Sequence, residues 1–298
     1  MDTVRLVSTD AHEGPVYVPG EDALYFTSLP AGGRSAIKRL DLASGEVEVF
    51  VPHANGANGM TLDRDGRLLV CEQGSRFTPA RITRMDRSTR ERTTVVDNWA
   101  GLPLNSPNDV AVARDGAVWF TDPSYGYLQG FRPQPQVGDF VYRHDPATGR
   151  TDVVADNFNK PNGIAFSPDE RTLYVTDSGA NQTPGSFHPE MPHHVMAFDV
   201  LDGRRLGPGR LFAVISPGFP DGLKCDAAGR VYVSSSSGVQ VFAPDGDPLG
   251  QISLPGAVNF CFGGPELDRL FITNDEAVWA ADLNARGASS WKPSAIAV

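Results

Sequence analysis

Twelve positions of this 298-residue chain carry side-chain oxygens at a spacing that could do chemistry. One set is Glu13, Asn58, Asn108, Asn162, Asp221 and Asn259. The other is Ser28, Glu72, Asp122, Asp177, Ser235 and Asn274, each 14 or 15 residues after its counterpart. Carboxylates and amides are hard donors, suited to Ca²⁺ or Mg²⁺ rather than Zn²⁺. Glu13, Asn108, Asn162 and Asp221 would together offer two carboxylates and two neutral amides. Such a set balances a dication and leaves room for water and substrate, so the ion can act as a Lewis acid. The same residue types also form turns, as in Asn-Gly and Asp-Gly, and an ion in such a place can be purely structural. The site reading rests on four oxygen donors recurring at one position of four different units.

Those units are visible as a repeat. Six segments align, starting at His12, Ala57, Pro107, Pro161, Pro220 and Val258. Each has an apolar run, a Gly/Asp/Pro turn and a second apolar run, which is a β-hairpin. A third run follows each hairpin: IKRLD, ITRMD, FVYRHD, VMAFD, VQVFAPD and VWAAD. A fourth follows all but the last: VEVFV, TTVVD, TDVVA, RLFAV and GQISL. Six four-stranded units predict an all-β, six-bladed β-propeller, one domain over 1–298. The orphan run VRLVS (4–8) is expected to complete the last blade and close the ring. Because the two hairpin strands run antiparallel, both oxygen sets fall on one face of the disc. The first set lines the channel mouth there.

Two long loops leave the same face, 122–139 and 178–194, with the Pro and aromatic content of either pocket walls or ordinary surface. His193 and His194 receive no role. Asp65-Gly66 and Asp115-Gly116 read as hairpin tips on the opposite face.

The net charge of −10 argues against nucleic-acid partners. No apolar run approaches bilayer length, and the first residues lack a secretory apolar core. A cytoplasmic protein without membrane partners is expected. Cys71, Cys225 and Cys261 form no C-x-x-C pair and are expected to be buried, unreactive thiols. There is no G-x-S-x-G, H-E-x-x-H or glycine-rich phosphate loop.

The chain resembles the SMP-30/gluconolactonase/luciferin-regenerating family, and its gluconolactonase branch most. The resemblance rests on Glu13-Gly14-Pro15, Leu104-Asn105-Ser106-Pro107-Asn108-Asp109, Phe120-Thr121-Asp122-Pro123 with Tyr125-Gly126, Pro161-Asn162-Gly163 and Pro220-Asp221-Gly222. It implies a six-bladed propeller in which Glu13, Asn162 and Asp221 bind one divalent cation, usually Ca²⁺, with Mg²⁺, Mn²⁺ or Zn²⁺ as alternatives. It further implies that Asn108 binds metal or substrate and that Asp221 is general base or nucleophile. The vertebrate branch carries arginine two residues before the Asn, where this chain has Ser106.

The expected activity is therefore hydrolysis of a small lactone or ester, a sugar lactone such as gluconolactone above all. Asp221 and Asn108 are the catalytic residues, and Asn58, Glu72 and Asp122 are candidates for contacts to sugar hydroxyls. The alternatives are a phosphotriesterase-like hydrolase on the same ion and a non-enzymatic calcium-binding propeller that holds a partner.

Overall fold

The computed structural model describes residues 2–30 and 34–288. Six antiparallel sheets follow one another in chain order and form a six-bladed β-propeller. The inner strands are Val16–Val18, Ala57–Leu62, Val110–Val112, Pro161–Phe166, Leu223–Cys225 and Asn259–Gly263. The second strands are Ala23–Thr27, Leu68–Glu72, Val118–Asp122, Thr172–Asp177, Val231–Ser235 and Arg269–Thr273. These second strands read as continuous apolar runs because each is covered on both faces by a neighbouring blade. Leu68–Glu72 and Val118–Asp122 are buried along their whole length. The outermost strands, such as Arg92–Val96, are largely exposed and correspondingly polar.

Six hydrophobic cores lie between the six blades rather than in one centre. Trp119 of the third blade packs against Phe166 of the fourth with ring centroids 5.4 Å apart. Burial of this kind contributes roughly 25 cal/mol per Å² of apolar surface. The last core joins the first and sixth blades through Tyr17, Phe26, Phe271 and Val278.

Val4–Ser8 completes the sixth blade, pairing antiparallel with Ala277–Asp282. The first strand in sequence thus closes the ring, which removes two free sheet edges.

The inner strands start later than the spacing predicts in three blades. Glu13, Asn108 and Asp221 precede their strands instead of opening them. In the second and fourth blades the strand does include Asn58 and Asn162, but its register shifts between Ala57 and Met60 and between Pro161 and Ile164. Glycine follows four of the ring residues, at 14, 59, 163 and 222, where the next blade comes close. A Cβ on Gly163 would lie 2.3 Å from the Asp221 carbonyl oxygen, and one on Gly14, at φ 59°, would lie 2.5 Å from that of Asn58. These glycines, read from sequence as turn formers, are places where the backbone of the next blade comes too close for any side chain. The tips behave as expected, with Gly66 and Gly116 at φ 78° and 86°.

Candidate active site

The ring residues are held by hydroxyls near the ends of the second strands. Thr121 of the third blade donates to the Asn162 carbonyl of the fourth at 2.7 Å. Thr176 of the fourth donates to the Asp221 carbonyl of the fifth at 3.0 Å. Thr273 of the sixth donates to the His12 carbonyl of the first at 2.6 Å. Within the first blade, Thr27 donates to the Glu13 carbonyl at 3.0 Å. The third, fourth and sixth blades thereby hold a neighbour's backbone, whereas the second blade, with Cys71 at this position, lacks the hydroxyl.

Of the four side chains expected from spacing, Asp221 lies within reach of Glu13 and of the Asn162 amide. Glu13 and Asp221 lie close enough that each carboxyl answers to the other. Burial, the Glu13 charge and a hydrogen bond with Glu13 push Asp221 well above the ordinary carboxylate range, against the pull of the Asn162 amide. Burial raises Glu13 as well, opposed first by His12. Two buried carboxyls side by side cannot both hold a charge without a counter-ion. Glu13, Asn108 and Asn162 are buried, whereas Asp221 stays partly open to solvent.

The amides of the ring differ in a way the sequence does not show. Asn58 Oδ1 accepts from the Gly59 N–H at 3.0 Å, and Asn259 Oδ1 accepts from the Phe260 N–H at 2.7 Å. Asn259 also donates to Glu13 Oε2 at 2.6 Å. Among the described residues Asn108 Oδ1, by contrast, is buried with no hydrogen-bond partner. An orphaned buried amide oxygen is a hard donor, of the kind a hard cation takes. Among the described residues no group of three or more His, Cys, Asp or Glu side chains forms a metal-holding cluster; the candidate set has two carboxyls and relies on amides for the rest.

The second oxygen set lies at the same face but turns inward. Glu72 is fully buried, and its two oxygens accept from Arg81 at 2.7 Å, Asn55 at 2.9 Å, Thr83 at 2.8 Å and Arg92 at 3.2 Å. Asp122, also fully buried, accepts from the backbone N–H groups of Asn105 and Ser106, both at 2.8 Å. Burial pushes it up to about 7, opposed by those two N–H groups. Asp177 does the same for Asn159 and Lys160, both at 2.9 Å. The expectation that Glu72 and Asp122 contact sugar hydroxyls is thereby corrected: both are sealed from the mouth and already hydrogen-bonded.

Three residues that carry the site were not singled out from sequence. Arg132, in the loop 122–139, is buried and donates to the carbonyls of Ser75, Thr78, Leu104 and Asn105 at 2.8 to 3.0 Å. With Asp122 taking the amides, Arg132 taking the carbonyls fixes the segment that leads to Asn108. Tyr125, in the short helix Tyr125–Leu128, is buried and reaches the Ser178 carbonyl at 3.4 Å, so the two long loops meet over this face. His12 hydrogen-bonds through Nδ1 to Asp275 Oδ1 at 2.6 Å. A visible signal existed for the last pair: His12 immediately precedes one ring position and Asp275 immediately follows Asn274.

Beneath the ring, Lys224 lies 3.3 Å from Asp109 Oδ2, joining the fifth and third blades across the channel. Beyond it the channel widens into a cavity of about 800 Å³ that opens on the opposite face. None of the four ring residues lines it. Its wall is mostly apolar, with Tyr17, Leu62, Val112, Phe166 and Phe262. Charged residues also border it, among them Lys224, Arg114, Glu170, Glu266 and Arg286, several of them already in ion pairs, as Arg114 is with Glu170 and Arg286 with Glu266.

A β-propeller of six blades with a carboxylate–amide ring at one mouth is the class of protein that fold and site define. The chain belongs to the family described as "SMP-30/Gluconolactonase/LRE-like region", which matches residues 11–276. It is 33% identical to a gluconolactonase of Zymomonas mobilis, over 87% of this chain and 76% of that one. A solved gluconolactonase of Xanthomonas campestris superposes with TM-score 0.81 at 37% identity, covering 94% of this chain and 89% of that one. A calcium-binding regucalcin of Agrobacterium tumefaciens shares the fold, with TM-score 0.73 at 20% identity, covering 95% and 93%. Among the described residues no helix is long and apolar enough to cross a membrane.

Proposed function

We propose that this chain is a sugar lactonase that works with one divalent cation, Ca²⁺ first, held by Glu13, Asn108, Asn162 and Asp221. The observation that carries the reading is the buried pairing of Glu13 with Asp221, to which Asn162 also hydrogen-bonds. The gluconolactonase relatives support the substrate class. The cation, when bound, supplies Lewis-acid polarisation of the lactone carbonyl. Asp221, the one ring carboxyl open to solvent, takes the proton from the water that adds to that carbonyl. The ring C–O bond then breaks and the alkoxide collects a proton, giving the open hydroxy acid. Asn108 holds the substrate oxygen or the ion, and Asn58 offers its amide to a hydroxyl. Glu72 and Asp122 act as supports for the loops rather than as contacts.

The test is an assay of chelator-stripped protein on D-glucono-δ-lactone with Ca²⁺, Mg²⁺, Mn²⁺ and Zn²⁺ restored singly. Hydrolysis returning with one of these ions is the expected result. Full activity without any metal would remove the ion from the proposal. Ca²⁺ at about 100 times its Kd should also add about 2.7 kcal/mol to stability, read as a rise in Tm.

A further inference from the structure

We propose that His12, oriented by Asp275, is a specificity-determining residue whose Nε2 forms a hydrogen bond with a hydroxyl of the polyhydroxylated lactone. The inference rests on the sugar-lactonase reading and deepens it.

The pair is built across the seam where the chain closes on itself. His12 belongs to the first blade and Asp275 to the sixth, 263 residues apart, yet Nδ1 and Oδ1 are 2.6 Å from each other. The backbone around them is pinned on several sides. His12 N–H donates to the Thr27 carbonyl at 2.8 Å, and the His12 carbonyl accepts from Thr273 at 2.6 Å. Asp275 N–H donates to Ala11 at 2.8 Å, and Ala11 N–H returns a bond at 3.3 Å. Asp275 itself sits at φ 70°, in the left-handed region that a non-glycine residue occupies at some cost. That conformation, held by two backbone bonds, aims the carboxylate at the imidazole.

An exposed His–Asp pair made only for stability is worth little, about 0–1 kcal/mol, and does not need such anchoring. A carboxylate accepts only, so Nδ1 donates to Asp275 and Nε2 is left as the ring's second hydrogen-bonding group. Among the described residues Nε2 has no protein hydrogen bond, and the side chain is 23% exposed. The position is at the site: His12 adjoins Glu13 in the chain, and the Asp275 charge is felt by Asp221 across the mouth. A partly exposed hydrogen-bonding group in the residue next to Glu13 matches the one thing a sugar lactone has and a plain lactone lacks, namely its hydroxyls.

The experiment compares D-glucono-δ-lactone with δ-valerolactone, which shares the ester ring without hydroxyls. His12→Ala should raise KM for gluconolactone about tenfold, the size of one lost hydrogen bond, and leave valerolactone turnover within about twofold. His12→Gln, which keeps an acceptor, should recover part of the loss. Asp275→Ala should move KM for gluconolactone in the same direction by several-fold, because the ring loses its orientation. Calorimetric Ca²⁺ affinity should be unchanged in His12→Ala. Equal losses on both lactones, or a loss of Ca²⁺ affinity, would show that His12 only supports Glu13 and would overturn the proposal. Wild-type protein that opens valerolactone but not gluconolactone would also overturn it while leaving a lactonase standing. Wild-type protein that opens neither lactone with any ion would instead sink the functional reading on which it rests.

Discussion

At one mouth of the channel the inner strands are led by Glu13, Asn108, Asn162 and Asp221; at the other they run out into Leu62, Val112, Phe166 and Phe262. The same strands build both ends. At the ring end, the backbone at Asn162, Asp221 and His12 is held by a neighbouring blade, through Thr121, Thr176 and Thr273, and glycines let backbones meet. At the cavity end, the hairpin tips close on themselves and the charges at the rim are paired, as Arg286 is with Glu266 at 2.9 Å. A buried titratable pair requires positional control from several elements at once. An apolar wall requires only side chains of suitable size.

The sharpest way to break this contrast is to substitute at both ends. Asp221→Ala should lower kcat/KM for gluconolactone by at least 10³-fold while circular dichroism and Tm report an intact fold. Phe262→Ala, at the cavity end, should leave kcat/KM within about threefold although it costs stability. Comparable losses in both variants would mean that the two mouths act as one site.

Gly163→Ala comes next. The added methyl meets the Asp221 carbonyl, so the fifth blade must shift and the carboxyl with it. A displacement near 1 Å should cost about 10²-fold in kcat. A turn glycine would give no such effect, so wild-type kinetics in Gly163→Ala would refute the close-approach account.

Arg132→Met should act on stability first. It strips four carbonyls of a charged donor, and hydrogen bonds to charged groups contribute about 1.5–3 kcal/mol each way they are counted. A loss of about 3 kcal/mol in urea unfolding is expected, with a fall in kcat because the leader to Asn108 loosens. The smallest effect concerns the thiols. Burial pushes Cys225 and Cys261 up to about 12, and raises Cys71 well above the ordinary thiol range. The thiolate is the reactive form, so at pH 8 the folded protein should show almost no reaction with a disulfide reagent and react at all three cysteines in denaturant. Rapid native-state labelling would contradict the burial described for both faces.

Much of this molecule was legible before any coordinates. Local patterning encodes strands and turns, because alternation, apolar runs and Asp-Gly tips depend on near neighbours. From it come the six blades, the VRLVS closure of the ring and the recurrence of oxygen donors. The free cysteines also matched their expected burial. What went astray is instructive in kind. Glu72 and Asp122 share a sequence position with one another and were read as facing the mouth, yet a residue at a strand end turns outward or inward according to which partners the next loop presents. Arg81, Arg92 and Asn55 claim the first, and the amides of Asn105 and Ser106 claim the second.

The sequence by itself therefore determined the repeat, the blade count and the list of oxygens at one face. Only the tertiary structure decided which of those oxygens are spent and which are free. Asn58 and Asn108 look alike in the chain, but one amide oxygen caps its own backbone and the other, among the described residues, is left without a partner. Only closure of the ring set His12 beside Asp275 and Glu13 beside Asp221, because contacts between residues more than 200 apart depend on where the whole circle of blades brings the chain back, not on any local pattern.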